Sequence, residues 1–128
     1  MLIFENKPSN MTLPITEHFR LAEYRCKCRK CKLTFIHPLL AEYTEILRRL
    51  WNAPIISNSA YRCQEHNRSR SVGGSEFSYH MRGMAHDLRF PHGGDKRNEF
   101  IYLCKKIFPY TKLYVGERFI HCDVRDLS

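Results

Sequence analysis

Two histidines and one aspartate restrict the folds open to this chain more than any other feature. His80 and Asp87 lie in one segment of the sequence, and His121 lies in another. Two neutral imidazoles and a carboxylate form a suitable ligand set for zinc, and three protein ligands leave a fourth position open for water. We therefore predict a zinc centre of the catalytic type, which requires a fold that brings the two segments together.

The predicted strands place these side chains on one surface. His121 and Asp123 are two residues apart in a predicted strand, so they face the same side of it. Asp87 lies in another predicted strand, residues 85–90, and can share that surface, whereas His86 faces away and is not assigned as a ligand. Seven of the 128 residues are histidines. Such spacings also arise by chance, so spacing alone leaves the site undecided.

The composition predicts a globular chain with a modest core. Hydrophobic residues make up 43% and aromatic residues 12% of the sequence, which argues against a disordered chain. We expect a single domain over residues 1–128, with an extended lead-in at 1–15. The net charge of +8 favours an anionic partner without choosing among nucleic acid, a membrane surface and an acidic polymer. A solvated basic face with no specific partner is the alternative.

The sequence also bears on location and redox state. No apolar run is long enough to span a membrane. The segment Met1–Pro8 lacks the basic and apolar regions of a signal peptide, so we expect synthesis in the cytoplasm. Six cysteines in a chain without an export signal favour thiols or metal ligands over a disulfide framework.

The hydrophobic pattern predicts helices and short strands. Pro38 suits the first position of the clearest helix, whose expected apolar stripe includes Leu40, Ile46, Leu47 and Leu50. The other predicted elements are a short helix at 16–24, a strand at 55–57, a loop at 63–82 that carries His80, a second helix capped by Asp95, and a hairpin of 112–115 and 119–124.

A cluster of cysteines within a basic segment forms a second candidate site. Cys26, Cys28 and Cys31 lie close together, and Cys63 follows later in the chain. Four thiolates can hold a closed, structural zinc that joins the amino-terminal segment to the active-site strand, and the flanking cations favour thiolate formation. The spacing does not match two paired C-x-x-C knuckles, so free thiols and a disulfide stay open as alternatives.

Five short motifs follow one another along the chain. They are Ser59–Asn67, Val72–Gly74, Ser78–His80, Gly83–Asp87 and Phe119–Asp123. Together they resemble the M15 family of zinc peptidases, the group of D-alanyl-D-alanine carboxypeptidases and phage endolysins. The similarity extends over residues 16–125 and is nearest to the small, single-domain members. Each motif alone is weak, but five in this order are specific.

The resemblance implies a fold, an activity and a set of site residues. The implied fold is α+β, a small antiparallel sheet packed with helices, as in hedgehog and D,D-peptidase domains. The implied activity is zinc-dependent hydrolysis of a peptide bond next to a D-amino acid in the peptidoglycan stem peptide, by a carboxypeptidase or an endopeptidase. The family's zinc ligands fall on His80, Asp87 and His121, its substrate-anchoring arginine on Arg62, and its metal-loop serine on Ser78.

Arg62 and Ser78 also have structural interpretations. The planar guanidinium of Arg62 suits a carboxylate or a developing oxyanion, but a surface salt bridge would also explain an arginine here. Ser78 can bond the substrate or form the turn of the loop. The residues by themselves leave both choices open.

The chain departs from the family at the expected general base. Many members carry an acid three residues before the last histidine, where this chain has Arg118. A carboxylate must take the proton of the attacking water and pass it to the leaving amine. We favour Asp123, which shares a strand face with His121, over Glu117, which lies in the predicted turn. Orienting His121 is the other role open to Asp123.

Three functions are consistent with these features. The first is a peptidoglycan peptidase that resembles stand-alone phage lysis enzymes, although a bacterial origin is also open. The second is a nucleic-acid-binding module that uses the basic cysteine cluster as a zinc knuckle, which no regular finger spacing supports. The third is a binding domain that keeps the fold and the zinc but has lost hydrolysis, because Arg118 replaces the usual acid. Wall hydrolysis separates the first from the third, and salt-dependent nucleic acid binding tests the second.

Overall fold

A four-stranded antiparallel sheet lies at the centre of the fold. It is found in a computed structural model that describes residues 1–69, 73–74 and 78–126. In chain order the elements are β1 (Leu2–Glu5), a 3-10 helix (Pro8–Asn10), α1 (Leu21–Tyr24), β2 (Leu33–Ile36), α2 (Pro38–Trp51), β3 (Ser57–Ser59), α3 (Gln64–Arg68), a second 3-10 helix (Tyr79–Arg82), β4 (Ala85–Arg89), α4 (Gly94–Ile107), β5 (Tyr110–Tyr114) and β6 (Phe119–Asp123).

The register of the sheet places the two predicted site strands side by side. The strand order is β3-β4-β6-β5, and Asp87 on β4 is the direct partner of His121 on β6. β5 pairs with the other edge of β6, with Lys112 opposite His121, as the predicted hairpin requires. The expected α+β fold with a small antiparallel sheet is therefore confirmed.

One face of the sheet packs against the two long helices and forms the core. Leu88 on β4 and Ile120 on β6 are fully buried there, together with Leu47 of α2 and Phe100 of α4. Burying a side chain of this size contributes about 1.5–3 kcal/mol. The core therefore fixes β4 and β6 from one side and leaves their other face available for polar side chains.

The predicted helix after residue 37 is confirmed as α2, but its buried stripe differs from the expected one. Leu40 and Leu47 are buried as expected, whereas Ile46 and Leu50 are exposed. Thr44 is buried in their place, with its hydroxyl 3.3 Å from Nδ1 of a fully buried histidine on β4. The buried face of α2 is therefore displaced from the predicted one. A pattern of hydrophobic residues does not predict a buried threonine, because its contact with the histidine is polar.

The amino-terminal lead-in is not simply extended. β1 lies within residues 1–15 and pairs with β2 in a separate two-stranded sheet, with Phe4 opposite Thr34. Neither strand was predicted, since both are short and their partners are distant in sequence. The strand expected at 55–57 begins at its last residue and runs over Ser57–Ser59.

Two further expectations need correction. The segment 63–82 is not a continuous loop, because it contains α3 and the second 3-10 helix. Asp95 does not cap α4, since Gly93 occupies the cap position and Asp95 lies in the first turn. Val72 of the second motif and residues 127–128 of the predicted domain lie outside the described residues.

Within the described part of the chain, no helix is long and apolar enough to cross a bilayer.

Candidate metal centre and substrate cleft

The three side chains predicted as zinc ligands meet over one face of the sheet. Asp87 and His121 are direct neighbours across β4 and β6. His80 lies in the 3-10 helix that precedes β4, and the centre of its ring is 5.1 Å from that of His121. One ligand atom of each residue lies within 4.8 Å of the others. The structure thus brings together all three residues that the sequence singled out.

The turn that presents His80 depends on a serine and a glycine. The hydroxyl of Ser78 accepts the backbone N–H of His80 at 3.2 Å, so Ser78 stabilises this turn. Gly83 ends the turn with φ +67°, a conformation that favours glycine. A Cβ at Gly83 would also collide with the backbone carbonyl of Phe35. The path of the chain between His80 and β4 therefore requires a glycine at this position.

Hydrogen bonding fixes which nitrogen of His80 faces the other ligands. Its Nδ1 lies 2.6 Å from the carbonyl oxygen of Ala60, which can only accept, so Nδ1 carries a proton. In the neutral ring Nε2 then presents a lone pair, and it lies 3.1 Å from Oδ1 of Asp87. Because two acceptors at this distance repel each other, a cation between them would stabilise the arrangement.

His121 is oriented in the same way by a different acceptor. Its Nε2 lies 2.8 Å from Oδ2 of Asp123, and its Nδ1 lies 3.0 Å from Oδ1 of Asp87. With a metal ion on Nδ1, the N–H would be on Nε2 and would donate to Asp123. In histidines that bind zinc, the ring nitrogen that does not bind the metal commonly donates its N–H to a carboxylate or a backbone carbonyl. Nε2 of His80, Oδ1 of Asp87 and Nδ1 of His121 therefore fit a zinc ion and would hold it.

Burial and neighbouring charges set the protonation of the centre. Burial alone would raise the pKa of Asp87, but the adjacent rings of His121 and His80, which donate to its carboxylate when they are protonated, outweigh burial and hold the pKa well below its usual range. Burial lowers the pKa of His121, yet the carboxylates of Asp123 and Asp87 outweigh burial and raise it. Asp87 is thus ionised at neutral pH, as a ligand must be, and a metal ion competes with a proton for His121.

Asp123 is placed to orient His121. Its carboxylate is completely buried and is bound by the guanidinium of Arg125 at 2.6 and 2.9 Å as well as by His121. Burial would raise the pKa of Asp123, but these two partners lower it to about 2. Glu117 lies in the exposed turn between β5 and β6 and does not line the cleft. The assignment of either acid as general base stays a prediction, and the geometry favours the orienting role for Asp123.

A cleft of about 480 Å³ opens beside the three ligands. Arg62 lines it, and its Nε makes no hydrogen bond within the described part of the chain. The backbone N–H of Arg62 donates to the carbonyl oxygen of His80 at 3.1 Å, which couples the arginine to the ligand turn. Ser78 also lines the cleft, so its role in the turn does not exclude contact with a substrate.

Several lining residues were missed by the sequence reasoning. Tyr110, Lys112 and Tyr114 alternate along β5 and all reach the cleft. The sequence could have indicated them, because alternate residues of a strand that pairs with the His121 strand face the same side of the sheet. Arg125 was also missed, although it follows Asp123 by two residues. Its guanidinium lies 3.5 Å from the ring centre of Tyr110, a cation–π contact that fixes it at the rim.

His86 has the structural role expected of it. Its two ring nitrogens lie 3.3 Å from the hydroxyl of Thr44 and 2.7 Å from that of Ser57, on the core side of the sheet. Complete burial lowers the pKa of His86 to about 3. It is therefore a neutral core residue and takes no part in the metal centre.

The four predicted cysteines also meet, in a cluster separate from the His/Asp centre. Their sulfur atoms lie within 4.8 Å of one another, and none of them forms a disulfide. Burial raises the pKa of Cys26 to about 11 and that of Cys31 to about 12. Burial opposes ionisation of Cys28 as well, but the backbone N–H groups of Lys30 and Cys31 lower its pKa to about 7. Deprotonation of Cys26 and Cys31 at neutral pH therefore needs a bound cation.

The geometry agrees with what comparison with known proteins shows. A family model described as Peptidase M15 matches residues 17–123, which is most of the chain. No curated protein and no solved structure matches the chain. The matched segment includes the three predicted ligands, Arg62 of the cleft and all four clustered cysteines. The chain therefore belongs to the peptidase M15 family.

Proposed function

We propose that this chain is a zinc-dependent peptidase that hydrolyses a peptide bond next to a D-amino acid in bacterial peptidoglycan. The observation that carries the proposal is the convergence of three lone pairs, from His80, Asp87 and His121, at the edge of an open cleft. Bound zinc would supply an activated water and polarise the carbonyl of the scissile bond. Membership of the M15 family supports peptidase activity.

The charge of the cleft supports an anionic peptide as substrate. Arg62, Lys112 and Arg125 line it, and Asp87 is the only carboxylate among the described lining residues. Arg62 is desolvated, which lowers its pKa, and its Nε has no hydrogen-bond partner among the described residues. A substrate carboxylate or a developing oxyanion would pair with this guanidinium. We propose that Arg62 anchors the stem peptide and that Ser78 offers a further hydrogen bond.

The rigid parts of the centre hold the ligands in position. Ala60 fixes the tautomer of His80, and Asp123 with Arg125 fixes that of His121. The cluster leaves one side open toward the cleft, where Tyr110 and its alternating neighbours on β5 form a wall. A substrate lying along this wall would pass beside His80, Asp87 and His121, the residues that would hold the zinc. We propose that this binding mode selects the bond that is cut.

A second candidate function is a zinc-containing binding domain without hydrolysis. It is favoured by one observation: neither Asp123 nor Glu117 reaches the cleft, so neither is placed to take a proton from the attacking water. This candidate predicts binding of the same anionic peptide with no product.

Digestion of purified peptidoglycan tests the proposal. The protein, loaded with zinc, is incubated with cell walls, and released fragments are identified by mass spectrometry. Release of single D-amino acids would indicate a carboxypeptidase, and cleaved cross-links would indicate an endopeptidase. Asp87→Ala protein is the matched control. Binding to the walls without any zinc-dependent fragment would reject hydrolysis and support the binding domain.

A further inference from the structure

The cysteine cluster has the dimensions of a metal site. Sγ of Cys63 lies 3.7 Å from that of Cys26 and 3.8 Å from that of Cys28, and Cys31 completes a group within 4.8 Å. Four ligands at the zinc–sulfur distance of about 2.3 Å around a tetrahedral ion are separated by about 3.8 Å. A disulfide would hold two sulfurs at about 2.05 Å. The sulfurs are therefore spaced for a shared ion.

Each sulfur also receives at least one N–H group. Sγ of Cys26 accepts from the backbone N of Cys63 at 3.4 Å, and Sγ of Cys63 accepts from the backbone N of His66 at 3.5 Å. Sγ of Cys28 accepts from Lys30 N at 3.3 Å.

The fourth sulfur is served by a side chain from the amino-terminal strand region. Nδ2 of Asn6 lies 3.6 Å from Sγ of Cys31 and 3.1 Å from its carbonyl oxygen. Donors directed at all four sulfurs stabilise negative charge on them and orient their remaining lone pairs, as outer-shell groups do around thiolate-bound metals. A set of four unrelated thiols has no need of this arrangement.

We propose that Cys26, Cys28, Cys31 and Cys63 bind a second zinc ion, which is structural. Four thiolates fill a tetrahedral coordination sphere and leave no position for water or substrate. Cys26 is completely buried and the other three are half-buried, so the ion would be enclosed by protein. This site is independent of whether the chain hydrolyses peptidoglycan.

The second zinc would fix the segment on which the first centre rests. Cys63 directly follows Arg62, and the backbone N–H of Arg62 donates to the carbonyl of His80. In the same segment Ala60 accepts from the ring of His80, and the N–H of Tyr61 donates to α1 at Tyr24. The elements here are very short, with four residues in α1 and three in β3. The bound zinc would therefore stabilise this segment in place of the packing that longer elements would provide, because metal binding contributes directly to folding.

Metal content and cobalt spectroscopy of the full-length chain test this site. The wild-type protein should contain two zinc ions per chain, and its cobalt-substituted form should show thiolate-to-cobalt charge-transfer absorption. Cys28→Ser, at a half-exposed position of the cluster, should lose one zinc and most of that absorption. Asp87→Ala should lose the other zinc and keep the absorption. Cys104→Ala, which removes a buried thiol of the core, is the matched control and should keep both.

Other results of the same experiments would overturn the proposal of a cysteine zinc site. A wild-type chain with one zinc, no thiolate–cobalt absorption and four cluster thiols that react freely with iodoacetamide would overturn the proposal. A mass lower by two hydrogens would do the same by showing a disulfide. If Cys28→Ser does not fold, the cobalt spectrum and thiol protection of the wild type decide the question alone. Absence of peptidase activity would leave the thiolate absorption unchanged, so the two proposals fail separately.

Discussion

The His/Asp centre and the cysteine cluster are built by different means. In the first, Asp87 and His121 are placed by strand register, and only His80 comes from a turn. In the second, all four ligands lie outside the strands, in the segment between α1 and β2 and just before α3. The first has three ligands beside an open cleft and the second has four that are enclosed. Strand register therefore places most of the first centre, whereas in the second we propose that the bound ion itself holds the loops together.

The largest expected effect comes from removing a ligand of the His/Asp centre. His80→Ala, Asp87→Ala and His121→Ala should each abolish wall hydrolysis and remove one zinc ion, because two remaining ligands cannot hold the ion in an open site. Zinc analysis and fragment release measure both effects. The exposed His92→Ala is the control and should behave as wild type. Hydrolysis that survives complete chelation would show that this centre is not the catalytic one.

The next effect concerns Arg62, the residue that joins the two regions. Arg62→Ala should lower kcat/KM by about 10²–10³-fold, because it removes donors directed at the substrate, while the melting temperature changes little. Arg62→Lys keeps the positive charge but loses the planar guanidinium with its paired N–H donors, so it should recover only part of the activity. Arg89→Ala, an exposed arginine on β4, is the control. Equal kcat/KM at equal stability would reject the anchoring role.

A smaller effect separates the two roles of Asp123. Asp123→Ala should lower zinc affinity by about 10–100-fold, since the Nε2–H of His121 loses its acceptor. Asp123→Asn keeps an oxygen for that N–H and should retain most of the affinity and of the activity. Zinc titration and kcat are measured for both variants. If Asn is as inactive as Ala although zinc binding is normal, Asp123 is the general base after all.

The smallest effect measures how tightly the turn before β4 is constrained. Gly83→Ala forces a Cβ into the carbonyl of Phe35 at φ +67°, whereas Gly94→Ala meets open space at φ +68°. The second change should cost about 1–2 kcal/mol from backbone conformation alone, and the first should cost about 1–3 kcal/mol more from the collision. Chemical denaturation of both variants gives the difference. Equal costs would show that the turn adjusts without strain.

Local patterns, together with the family resemblance, predicted which side chains meet at the candidate metal centre. His121 and Asp123 share a strand face because side chains alternate in any strand, and Asp87 needed only a second strand of the same sheet. The prediction that His86 faces the other way follows from the same rule, and the structure agrees. The stripe of α2 was predicted less well, since Thr44 is buried by a hydrogen bond that no hydrophobic pattern contains.

The sequence by itself determined the family and the α+β class, and it predicted the residues of the two candidate metal sites, because these depend on residue identity and on short-range periodicity. Only the tertiary structure decided which atoms face each other. It directed Nε2 of His121 to Asp123 and Nδ1 to Asp87, placed β5 as the wall of the cleft, and brought Cys63 to the other three cysteines. These features depend on contacts between segments far apart in the chain, and such contacts arise from the packing of the whole fold.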